Sequence, residues 1–173
     1  MFRAFLFCVL VFASVVPAAA HITLESQEGK VGEGYKAVLR VPHGCDGAAT
    51  VALRVKIPEG VIGVKPMPKP GWTLTTTTGK YPKTYKLFHN ELSEGVTEIG
   101  WSGGKLPDNW YDEFVFTGFL ASDLEAGKKL YFPVVQECEK GVNRWIEIPE
   151  GGKTRSDYQE PAPELILLPA KPR

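Results

Sequence analysis

The sequence predicts an all-β sandwich, immunoglobulin-like or cupredoxin-like in character, followed by a proline-rich C-terminal tail. Three observations predict it. Period-two alternation of apolar and polar residues recurs along the chain, and no stretch sustains a helical period. The 14 prolines and 18 glycines are spread over the whole length, as many short strands joined by turns require. Alternation is informative because successive side chains of a strand point to opposite faces, so a half-buried strand marks every second residue.

The elements follow in order. Ile22-Thr23-Leu24 is an extended segment, and Tyr35 to Val41 alternates until Pro42-His43-Gly44 stops it. Thr50 to Ile57 places Val51, Leu53, Val55 and Ile57 on one face before Pro58-Glu59-Gly60 turns the chain. Trp72 to Thr78 is threonine-rich, which suits a strand with one wet face. Tyr81 to Phe88, Thr97 to Trp101, Glu113 to Leu120, Leu130 to Cys138 and Arg144 to Ile148 then recur at spacings typical of a sandwich. Ser122 to Gly127 has room for one helical turn. Beyond Pro149 the texture changes to Gly151-Gly152, Pro161-Ala162-Pro163, Pro169 and Pro172, an extended segment to which Leu165 to Leu168 adds an edge strand. The expected organisation is a leader over 1–20, a sandwich domain over 21–150 and a C-terminal segment over 151–173.

The leader reads as a signal peptide. Arg3 is basic, Ala4 to Val16 is apolar, and Ala18-Ala19-Ala20 offers a small-residue cleavage site. The apolar run is shorter than the roughly 20 residues that span a bilayer. Export to the periplasm is therefore expected, with cleavage after Ala20. Removing the leader takes away one basic residue, Arg3, and leaves 19 basic against 20 acidic groups. A near-neutral surface gives no electrostatic basis for binding nucleic acid or an anionic membrane. Leu165 to Leu168 is too short for a membrane anchor, and none is expected. A monomer or weak dimer is a separate expectation, since nothing in the sequence requires dimerisation.

Cys45 and Cys138 remain after Cys8 leaves with the leader. In an oxidising compartment an even pair favours a disulfide over a thiolate metal site built from His43, Cys45 and Cys138. Familiar catalytic motifs are absent: there is no Gly-x-Ser-x-Gly elbow, phosphate-cradling glycine loop, His-Glu-x-x-His or Cys-x-x-Cys. The chain is not expected to be an enzyme.

Three histidines remain in the mature chain, His21, His43 and His89. Cleavage after Ala20 would make His21 the first residue, and its free α-amine and imidazole Nδ1 can then close a chelate ring on one metal ion. An internal histidine lacks the amine. Glu113 begins a strand whose alternation sends Phe114 and Phe116 to the core and Glu113 to the opposite face, where a solvated edge residue or a ligand at the sandwich rim would sit. Trp145 reads first as a core anchor, as large aromatics in sandwiches usually are.

Four strings together extend this reading: His21-Ile22-Thr23-Leu24, Lys69-Pro70-Gly71-Trp72, Tyr111-Asp112-Glu113-Phe114 and Arg144-Trp145-Ile146-Glu147-Ile148-Pro149. Spread over the mature chain, they resemble the YcnI-like family of exported copper-binding proteins. The resemblance implies a β-sandwich that holds Cu(II) through a monohistidine brace. His21 would supply amine and imidazole, Glu113 the carboxylate, and Trp145 the tryptophan close to the metal. Implied partners, besides the copper ion, are other periplasmic copper chaperones or a membrane copper transporter. The chain departs from many relatives in its proline-rich end, where they carry a membrane anchor, and in the Cys45–Cys138 pair, which is not part of the copper motif.

Other functions make different demands on the same residues. A copper oxygenase with a two-histidine brace would need His43 or His89 to join His21. A blue-copper carrier would need two histidines and a free thiolate. A metal-free carbohydrate-binding or adhesion sandwich would need an exposed aromatic platform.

Overall fold

A computed structural model describes residues 21–171; the leader lies outside the described residues. Its strands are β1 (Thr23–Leu24), β2 (Glu28–Lys30), β3 (Gly34–Val41), β4 (Thr50–Lys56), β5 (Val61–Pro66), β6 (Thr73–Leu87), β7 (Asn90–Leu106), β8 (Asp112–Leu120), β9 (Lys129–Tyr131), β10 (Val134–Cys138), β11 (Val142–Trp145) and β12 (Glu164–Leu168). One sheet has the order β1-β3-β8-β5, the second β11-β10-β4-β7-β6, and a small third sheet β2-β12-β9. The only helical element among the described residues is a 3₁₀ turn at Arg155–Asp157. The fold is an all-β sandwich.

Cross-strand rows build the core. Leu24, Leu39 and Phe114 stand opposite one another across β1, β3 and β8, and all three are buried. In the second sheet Leu53 and Trp101 are paired and buried likewise. Residues from both sheets, with Leu165 and Leu167 of β12, form one apolar cluster. The C-terminal segment therefore contributes to the core. β12 runs in the middle of the third sheet, parallel to β2 and antiparallel to β9, whereas an edge position was expected.

Other differences have simple causes. β2 is Glu28-Gly29-Lys30 and contains no apolar side chain to reveal alternation. β5 contains the consecutive apolar pair Val61-Ile62, and its register shifts between Ile62 and Lys65. β6 continues through Gly79 and Pro82 at the edge of its sheet, and Pro82 falls in the register break between Lys80 and Tyr85, where it forfeits no ladder hydrogen bond. Pro133 separates β9 from β10. Residues 122–127 form turns without a helical turn, and the last strand of the second sheet ends at Trp145, short of Ile148.

Candidate metal centre

Burial of Ile22 and Leu24 fixes the facing of the first strand and sends His21 and Thr23 away from the core. His21 nevertheless remains half-buried, because its ring lies edge-on against Trp145 of β11, with centroids 5.5 Å apart. Trp145 pairs with Val134 at an inward position of the other sheet and is only 5% exposed. It is a core anchor and a wall of the His21 site at once.

A buried indole N–H needs an acceptor. Trp145 Nε1 donates to Gln136 Oε1 at 2.9 Å. The Gln136 amide then donates from Nε2 to the His43 carbonyl at 2.7 Å and to Thr50 Oγ1 at 2.8 Å. Gln136 and Thr50 are fully buried. One amide therefore holds both the tryptophan and the backbone of the His43 loop.

That loop is constrained at several points. Asp46 and Gly47, with φ of 46° and 84°, form the two-residue type I′ turn that joins Cys45 to Ala48 through reciprocal backbone hydrogen bonds. Gly44 is required at its position, since a Cβ would lie 1.9 Å from the Ala48 carbonyl oxygen. The Gly44 N–H donates to Asp108 Oδ1 at 3.0 Å. Cys45 is disulfide-bonded to Cys138, with Cα atoms 6.0 Å apart. His43 is thereby placed on Trp145 as well, at 6.4 Å between centroids. Its Nδ1 donates to the Gly44 carbonyl at 2.6 Å.

The surroundings favour the neutral form of the His21 ring. Burial is the largest influence lowering its pKa; the Arg155 guanidinium acts the same way, and His43 adds a smaller push. A hydrogen bond to the Gln159 backbone opposes them. Arg155 reaches back to the start of the chain, donating from Nη2 to the Ile22 carbonyl at 3.5 Å, while its buried Nε has no hydrogen-bond partner. The C-terminal segment thus packs over the first residues of the sandwich.

Glu113 belongs to a neighbouring group. Thr23, Arg40 and Glu113 form a row across β1, β3 and β8, so Glu113 stands two strand spacings, about 10 Å, from Thr23. Its Oε1 accepts from the Tyr111 hydroxyl, which also accepts from Arg40 Nε at 3.3 Å. Burial and this carboxylate raise the Tyr111 pKa, partly opposed by Arg40. Lys69 clamps the strand start from the other side, donating to Asp112 Oδ1 at 2.6 Å and to the Glu113 carbonyl at 3.0 Å. The structure brings His21 and Trp145 together and leaves Glu113 in this second cluster.

His89 lies at the exposed tip of the β6–β7 hairpin, on the edge of the five-stranded sheet opposite β11. The disulfide removes the thiolate a blue-copper centre would require. Among the described residues no three His, Cys, Asp or Glu side chains converge in a way that could hold a metal ion. A metal at His21 therefore needs a donor beyond that set, and an α-amine freed by cleavage is such a donor. Gln136, Arg155 and the Gln159 backbone were not anticipated from the sequence. An amide at an inward position of β10, between the apolar Val134 and Cys138, was the one available signal.

Fold and site together define an immunoglobulin-like β-sandwich with a histidine–tryptophan pair at the start of its first strand. The chain belongs to the family described as a domain of unknown function (DUF1775), the domain of the YcnI-like proteins, whose model matches residues 21–167. No curated protein matches it. Among solved structures it is similar to an uncharacterized protein from Nocardia farcinica with an immunoglobulin-like fold. The TM-score is 0.61 at 24% identity, covering 86% of this chain and 98% of that one.

Proposed function

We propose that this chain is an exported, periplasmic Cu(II)-binding protein that buffers copper or passes it to a chaperone or membrane transporter, without catalysis. The observation carrying the reading is the half-buried His21 ring against Trp145, at the residue that signal cleavage would make the N-terminus. Cu(II) prefers tetragonal nitrogen and oxygen donors and stands at the top of the divalent affinity order. The His21 amine and imidazole supply two nitrogens. Glu113 is the oxygen donor that the family resemblance assigns, and it would have to leave Tyr111 to serve. The indole of Trp145, packed beside the His21 ring, would shield a bound ion from solvent, and its π-system would attract the cation.

The donor set lacks a soft ligand, so binding should weaken on reduction to Cu(I). The imidazole already favours its neutral form. An α-amine titrating at about 7.7–8.0 must still lose a proton to the metal, so affinity should fall in acid.

The test is a Cu(II) titration followed by electron paramagnetic resonance on two proteins, one beginning at His21 and one retaining Ala20. With Ala20 attached the His21 nitrogen is an amide and cannot serve as the amine ligand. We expect a one-to-one tetragonal signal only from the first. Equal binding by both, or by neither, would refute the brace.

A further inference from the structure

We infer that His43 is a ligand to the same copper ion, binding through Nε2 as a second imidazole beside that of His21. The inference rests on the copper reading above and assigns a donor that the family resemblance does not supply.

Placement is the first support. His21 and His43 pack edge-on against one indole, with ring centroids 5.5 and 6.4 Å from that of Trp145. They leave the same end of the first strand pair: Thr23 pairs with Arg40 in antiparallel register, so His21, just before β1, lies beside the residues that follow β3, among them His43. His89 and Glu113, the other candidates, belong to the hairpin tip and to the Tyr111 cluster.

The second support is the tautomer. A carbonyl oxygen can only accept, so His43 Nδ1 carries the proton in its 2.6 Å contact with the Gly44 carbonyl. In the neutral ring the lone pair is then on Nε2. A histidine that ligates a metal almost always donates its other ring N–H to a carbonyl, carboxylate or water, which fixes the ring and raises its basicity.

The third support is the rigidity of the loop. Gln136 holds the His43 carbonyl, Asp108 holds the Gly44 N–H, and the disulfide pins Cys45. Gln136 also holds Trp145, so the distance between the His43 backbone and the indole is set by a single buried amide. A metal ligand needs its side chain held by such a supporting shell. A solvated turn residue needs none of it. Amine, two imidazoles and one oxygen donor complete a tetragonal Cu(II) set.

The experiment counts imidazoles. Protein beginning at His21, with its disulfide intact and the substitution His89→Gln, is loaded with one equivalent of Cu(II). Pulsed electron paramagnetic resonance then reads the remote ring nitrogens, with and without ¹⁵N-labelled histidine. The expected result is the combination lines of two coupled imidazoles. His43→Gln should reduce these to the single-imidazole pattern and weaken Cu(II) binding by about tenfold or more. A single-imidazole pattern before His43 is touched overturns the inference and leaves the His21 brace standing. That readout does not depend on His43→Gln folding. Absence of any amine-dependent one-to-one signal overturns both.

Discussion

His21 and Arg155 meet from opposite ends of the described chain, and their charges set the pH response of the site. The pKa of His21 lies below its usual 6.5 because burial and Arg155 both disfavour the protonated ring. Its stabilising contribution is thus present above about pH 6.5 and is lost as pH falls through the lower folded value. In the metal-free protein we expect the thermal midpoint to fall as pH is lowered across that window. Arg155→Gln should move the His21 NMR titration up towards its ordinary value and flatten the slope; an unmoved titration would show that Arg155 plays no part. None of this was legible in the sequence, since Arg155 sits in a glycine-rich tail with no pattern linking it to residue 21. His21 and Trp145 were legible, one from the cleavage site and the other from the Arg-Trp-Ile-Glu string. Gln136 was not, because alternation predicts an apolar side chain where this amide serves Trp145, His43 and Thr50.

Strands with strict alternation, such as β3 and β4, were readable almost to their ends, whereas those whose facing depends on a distant partner were not. β12 is the clearest example. Leu165 and Leu167 alternate, but nothing local shows that β12 enters between β2 and β9. Its place carries an energetic consequence. Leu165 is fully buried in the main cluster, so Leu165→Ala should destabilise the protein by about 2–5 kcal/mol in chemical denaturation. A loss within about 0.5 kcal/mol, typical of a surface substitution, would mean that the segment does not belong to the core. The His43 loop teaches a related lesson. Asp46-Gly47 is a strong hairpin signal that the sequence displays openly, yet its importance lies in what it carries, a histidine set on the far sheet's tryptophan.

The whole molecule is a sandwich in which a disulfide near the candidate site ties the β3–β4 loop to β10 of the five-stranded sheet. Composition and periodicity were enough to predict the architecture because every layer repeats the same two-residue code. Topology required contacts that no local pattern contains. Cys45 and Cys138 are 93 residues apart, and closing so long a loop restricts the unfolded chain strongly. Reduction should lower stability by about 2–4 kcal/mol, read as the shift between oxidised and reduced denaturation curves at matched pH. Coincident curves would mean that the bond adds no net stability.

The placement of that disulfide, two residues beyond His43 and linked to the strand that carries Gln136, has a consequence in time. On the export reading, two steps of maturation, release of the leader and oxidation of the thiols, would act on the two histidine-bearing segments that share Trp145. On the copper reading, a chain still inside the reducing compartment has neither its amine nor its fixed loop. Newly made protein would travel past the cytoplasmic copper pool unable to take from it, and become competent only where its cargo is to be met.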